Sequence, residues 1–84
     1  MLRIIPTNSS QLAGIAHQPG DGFFYAKFNN GEVYLYECGD NTVYAIAGIL
    51  FAESQGKAFN AFKSKGYPYQ KLDPEEVAEL ELHV

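Results

Sequence analysis

The stretch FFYAKFNNGEVYLYE, Phe23 to Glu37, reads as two alternating β-prone runs folded back on each other at Asn29-Asn30-Gly31. Asn and Gly tolerate the positive φ of tight turns, and such a pair between β-rich runs is the strongest short-range hairpin signal. With a two-residue loop, at Asn29-Asn30 or Asn30-Gly31, even-numbered residues of the first run share a face with odd-numbered residues of the second. That expectation gives a core face of Phe24, Ala26, Phe28, Val33 and Leu35, and an outer face of Tyr25, Lys27, Tyr34 and Tyr36. A three-residue loop changes the parity, because a one-residue slip sends side chains to the opposite face.

Outward from the hairpin, Leu2 to Ile5 is a short β-prone run stopped by Pro6, and Leu12 to His17 alternates weakly as a strand. Gln18 to Gly22 is a loop, since Pro and repeated Gly interrupt both regular structures. After Glu37, the segment Cys38 to Thr42 breaks the strand and offers helix-capping side chains. A helix is expected over Val43 to Glu53. Val43, Ile46, Ala47 and Leu50 form one stripe, but Tyr44, Ile49 and Phe51 occupy the rest, so this helix is either deeply buried or half exposed as a docking face. A second helix, Lys57 to Lys65, carries Phe59 and Phe62 three apart and stops at Gly66. Asp73-Pro74-Glu75-Glu76 is a helix start, with Pro at the first helical position and acids at the positive end of the dipole. Val77, Leu80 and Val84 fall on one stripe, while ELELHV, Glu79 to Val84, also alternates as an edge strand. The fold class is therefore α+β: a three-stranded antiparallel meander of Leu12–His17, Phe23–Phe28 and Glu32–Glu37, two helices on one face, and a short C-terminal element.

Eighty-four residues make one domain with a single core. The longest apolar stretch, Val43 to Ala52, is about half of the roughly 20 residues that cross a bilayer, so no membrane partner is expected. The N-terminus lacks the apolar core of a secretory signal. One cysteine, Cys38, forms no internal disulfide, and an intracellular, cytoplasmic setting is the default. The net charge of −4 conceals an asymmetry. Ser54 to Leu72 holds Lys57, Lys63, Lys65 and Lys71 and no acid, whereas Asp73 to Val84 holds Asp73, Glu75, Glu76, Glu79 and Glu81. Two patches of opposite sign result, unless the tail folds over the lysines.

Gly31, Tyr34-Leu35-Tyr36, Val43-Tyr44 and the run Ala52-Glu53-Ser54-Gln55-Gly56-Lys57-Ala58-Phe59-Asn60 together resemble the KTSC domain. That small module sits at the C-terminus of some lysyl-tRNA synthetases and stands alone in bacteria and phages. The resemblance spans about Ser10 to Tyr67, and leaves 68–84 as an acidic extension. It departs from the family pattern after the YxY, where Gly39-Asp40 replaces a hydrophobic residue and a proline. It implies a binding module without an established activity, for which RNA contact has been suggested.

Chemistry is sparse. Gly56-Lys57 lacks the Walker spacing, since Phe51 and Ala58 stand where Gly and Ser or Thr belong. Ser54 and Gly56 are expected to shape the turn between helices, with anion capture by Ser54, Gly56 and Lys57 at the start of the second helix as the sharper alternative. Neither Cys38 nor His17 and His83 has metal-ligand spacing, and a Cys38–His17 nucleophile pair lacks an orienting group. No cofactor, metal or catalytic residue is expected. Tyrosines on a sheet face with a cation among them suit unpaired bases, whose rings stack while the cation meets phosphate. The expected binding residues are accordingly Tyr25, Lys27, Tyr34, Tyr36, Lys57, Lys63 and Lys65. Against this stands coverage of the same rings by the protein's own helices, with the hydroxyls hydrogen-bonded. The competing partner is a protein: a phage-type chain inhibiting or sequestering a host protein through Val43 to Phe51, or through the acidic tail as a mimic of nucleic-acid charge. A third expectation is a small anionic ligand captured between subunits near Ser54 to Lys57, in a homodimer.

Overall fold

The computed structural model describes residues 2–83. It contains six strands, β1 Leu2–Pro6, β2 Leu12–Ala16, β3 Phe23–Phe28, β4 Val33–Glu37, β5 Tyr69–Lys71 and β6 Leu82–His83, and three helices, α1 Thr42–Leu50, α2 Gln55–Lys63 and α3 Pro74–Leu80. One mixed sheet runs in the order β5-β4-β3-β2-β1-β6. The expected β2-β3-β4 meander is its centre. β1 and β5 extend it antiparallel, and β6 adds to β1 in parallel.

The hairpin that organises the chain has a three-residue loop, which corrects the expected facing. The Phe28 N–H donates to Glu32 O at 2.8 Å, and Gly31, at φ 93°, donates back to Phe28 O at 3.0 Å. The side chain of Asn30 locks this turn, its Oδ1 accepting the Glu32 N–H at 3.0 Å. Phe24 therefore pairs with Tyr36 and Ala26 with Tyr34. Tyr34 and Tyr36 share the helix-covered face with Phe24, Ala26 and Phe28, while Val33 and Leu35 join Tyr25 and Lys27 on the other. The single tyrosine platform is split by one extra residue in the turn.

A second irregularity explains the weak alternation of β2. Its register with β3 shifts between Leu12 and Gly14, so that Leu12 and Ile15, three apart, both reach the core as fully buried residues. Gly14 sits where β1 comes close: a Cβ there would stand 2.7 Å from the Ile5 carbonyl oxygen and against the Ile4 side chain.

The core lies between this sheet face and the first two helices. Leu12, Ile15, Phe24, Ala26 and Tyr36 meet Ile46 and Ile49 of α1 and Phe59 and Phe62 of α2. α3 begins where the sequence placed a helix start, with Glu76 Oε1 accepting the Asp73 N–H at 3.0 Å. Residues 72–81 lead from β5 at one sheet edge to β6 at the other, and so cross the second face, where Ile4, Ala16, Val33 and Leu72 are buried. Glu81 turns the chain into β6 at φ 51°. Of the two C-terminal expectations the helix holds through Leu80, and the edge strand expected over Glu79 to Val84 is cut to Leu82–His83; Val84 lies outside the described residues. Residues beyond 67 are part of the sheet through β5 and β6.

Candidate functional site

Between the β4–β5 edge and the end of α2 lies an open cleft of about 470 Å³. Register builds its sheet side, because Tyr36 pairs with Tyr69 and Tyr34 with Lys71. The rings of Tyr34, Tyr36 and Tyr69 lie 5.8 to 6.4 Å apart, centre to centre. The opposite wall is Phe62, Lys63 and Tyr67, with Phe62 and Tyr67 stacked at 5.4 Å and 18°. Gly66, at φ 78°, turns the chain from α2 toward Tyr67. Asn30 and Glu32 close the end nearest the hairpin. Glu32 is ion-paired with Lys71 and accepts from Asn30 Nδ2 at 2.6 Å.

The rings are not equally free. Tyr36 is 5 % exposed, sealed on one side by Phe59 and Phe62, while Tyr69 is 65 % exposed and Tyr34 is half-buried. Burial, then the neighbouring Tyr34 and Tyr69, push the Tyr36 phenol up to about 12. The unfolded chain loses that proton near pH 10. The raised value therefore contributes stability below pH 10 that is lost as pH climbs through about 12. Tyr36→Phe, with no proton to lose, is expected to flatten part of the alkaline fall in the urea midpoint; Tyr25, raised by burial and then by Asp21, supplies another part.

Of the residues the sequence singled out, Tyr34, Tyr36 and Lys63 come together in this cleft, and Lys65 follows α2 nearby. Tyr25 and Lys27 lie on the opposite sheet face. Lys57 lies at the far end of α2, about 9 Å of helix rise from Lys63. There it borders a second, polar cleft of about 660 Å³ with Ser9, Ser54, Gly56 and Asn60. The run around Lys57 has clear structural tasks. Ser54 Oγ accepts the Lys57 N–H at 3.3 Å as helix cap, and Gln55 Oε1 accepts the Asn8 N–H at 2.6 Å while its Nε2 donates to Leu50 O at 3.0 Å. Gly56 lets Ser9 approach, since a Cβ would meet its Oγ at 3.1 Å. Sequence reasoning missed Tyr67, Tyr69, Phe62 and Glu32 as cleft residues. The signal available was the Tyr67-Pro68-Tyr69 pair inside the lysine-rich segment.

α1 takes the half-exposed form of its two expected states. Thr42, Ile46 and Ile49 are buried, whereas Val43, Tyr44 and Phe51 stand 64 %, 79 % and 88 % exposed. Burial pushes the Cys38 thiol up and keeps it protonated at neutral pH, and the His17 ring is held 3.0 Å from the Asp21 carbonyl oxygen. Among the described residues no group of three His, Cys, Asp or Glu is placed to hold a metal, and no helix is long and apolar enough to cross a membrane. No family model matches the chain, and no curated protein matches it significantly.

Proposed function

We propose that this chain is a cytoplasmic, non-enzymatic binding module of the KTSC kind that takes unpaired bases of a nucleic acid into its aromatic cleft. The observation that carries the reading is the grouping of Tyr34, Tyr69 and Tyr67 around a cleft within the size range of small-ligand pockets, with Lys63 on its wall. Aromatic rings of this kind stack on any base, at about 1–3 kcal/mol per base. Lys63, 5.3 Å from the centre of the Phe59 ring, is the cation among the residues that line the cleft, and would meet a phosphate there. The protein is acidic overall, so stacking supplies most of the affinity. Fluorescence anisotropy with a labelled single-stranded hexanucleotide tests this. With Lys63 making one phosphate contact, log affinity should fall with log salt at a slope of only about −0.7. A steep slope, or no binding at low salt, refutes the cleft as the site.

A second reading is favoured by the exposed ridge of α1: a small phage-type protein that sequesters a host protein. Tyr44 and Phe51 are of a class that buries about 150–250 Å² each, and with Val43 they supply roughly half of the ~800 Å² per partner of a standard interface. Acidic Asp40 and Glu53 flank the ridge, and two copies docked through it would bring these like charges together. The partner it suits is a host protein with an apolar groove edged by cations. Such binding would survive high salt and be lost in Phe51→Ser, with oligonucleotide affinity unchanged.

A further inference from the structure

We infer that the cleft prefers guanine among the bases, with the carboxylate of Glu32 accepting both donors of its Watson–Crick edge. This rests on the reading of the cleft as a base-binding site and adds the identity of the base. Guanine is the only common base that presents two adjacent donors, the ring N1–H and the exocyclic amine, in one plane. A carboxylate matches that pair with its two oxygens, each holding lone pairs beyond those already engaged.

Glu32 is placed for the task by three features. It lines the hairpin end of the cleft on the same sheet face as Tyr34, so a base stacked on the Tyr34 and Tyr69 rings presents its edge toward it. Its position is fixed from two sides, by Lys71 across the β4–β5 pair and by Asn30 Nδ2 at 2.6 Å. The same partners, the Lys71 ammonium first and the Asn30 amide second, hold its carboxyl below the usual range, so that it is ionised at neutral pH. Adenine, cytosine and uracil each offer at most one donor beside an acceptor, and the acceptor would face a carboxylate oxygen, which carries no proton. A cationic group such as an arginine side chain also presents paired donors. Lys63 on the cleft wall opposes a cation, however, and favours a ligand that carries phosphate.

The test measures anisotropy of a U-rich hexanucleotide whose central position is guanine, adenine, cytosine, uracil or inosine, with the full chain and with Glu32→Gln. A guanine edge read by a well-placed partner discriminates by about tenfold. The expected result is guanine about tenfold tighter than the other three, inosine weakened because it lacks the exocyclic amine, and all five within about twofold in Glu32→Gln. Equal binding of all five by the unaltered protein overturns the guanine assignment and leaves the cleft reading standing. Absence of any oligonucleotide binding overturns both. An arginine-containing peptide that outcompetes the guanine oligonucleotide also overturns both, in favour of a protein ligand.

Discussion

Phe59→Ala is expected to lower the stability of the domain by about 3–5 kcal/mol, the cost of removing a large aromatic side chain from a core that cannot close around the gap. Phe59 is fully buried. Its ring lies 5.6 Å from Phe28, 5.8 Å from Tyr36 and 6.1 Å from Phe62, so it joins the meander to α2. α2 buries only two side chains, Phe59 and Phe62, and without the first the helix is held to the sheet by one ring, and to the β1–β2 loop by the hydrogen bonds of Gln55 with Asn8 and of Asn60 with Gln11. A domain of this size has about 5–15 kcal/mol to lose, and each kcal/mol shifts its melting temperature by about 4–8 °C. Urea titration of Phe59→Ala beside Phe51→Ala checks the claim. The second variant removes an equally large ring that is 88 % exposed, and its expected effect is within about 0.5 kcal/mol. A loss below about 1 kcal/mol for Phe59→Ala contradicts the packing of α2 described above.

The position of that ring was legible in the sequence, because Phe59 and Phe62 recur at helical spacing between Gly56 and Gly66. So were the hairpin, the helix start at Asp73-Pro74 and the half-exposed option for α1. These are local signals: a turn dipeptide, a cap, an apolar stripe. What escaped the sequence depends on contacts far apart along the chain or on a single residue of loop length. Asn29-Asn30-Gly31 supports a two-residue turn as well as a three-residue one, and the choice decides which face Tyr34 and Tyr36 occupy. β5 has three residues, all exposed, with no alternation to reveal it. β6 pairs two residues with a strand eighty positions earlier in the chain, and nothing local marks a parallel partner. The cleft inherits both gaps, since its sheet side is made by the true hairpin parity and by Tyr69 of the unforeseen β5.

The hairpin parity also sets the largest expected effect on binding. Tyr34→Ala together with Tyr69→Ala should weaken binding of a single-stranded oligonucleotide about thirtyfold or more, as each stacked base depends on its ring by about 1–3 kcal/mol. Tyr25→Ala should leave it unchanged. Tyr25 is a half-buried strand tyrosine like Tyr34, paired with Leu35 on the face that residues 72–81 cross, so it controls for the general cost of deleting a phenol from this sheet. Tyr69 is mostly exposed and its loss should cost little stability; Tyr34 also packs on Phe28 at 5.3 Å, so its removal should lower the melting temperature modestly. Affinities are therefore compared well below the melting temperature of the double variant, with its fold checked by circular dichroism. With a two-residue turn, Tyr25 would stand beside Tyr34 and its removal would weaken binding as much. If Tyr25→Ala and the Tyr34/Tyr69 double variant lose affinity equally, the bases do not enter the cleft. If only the double variant does, the one extra residue at Asn29-Asn30-Gly31 has chosen the binding face.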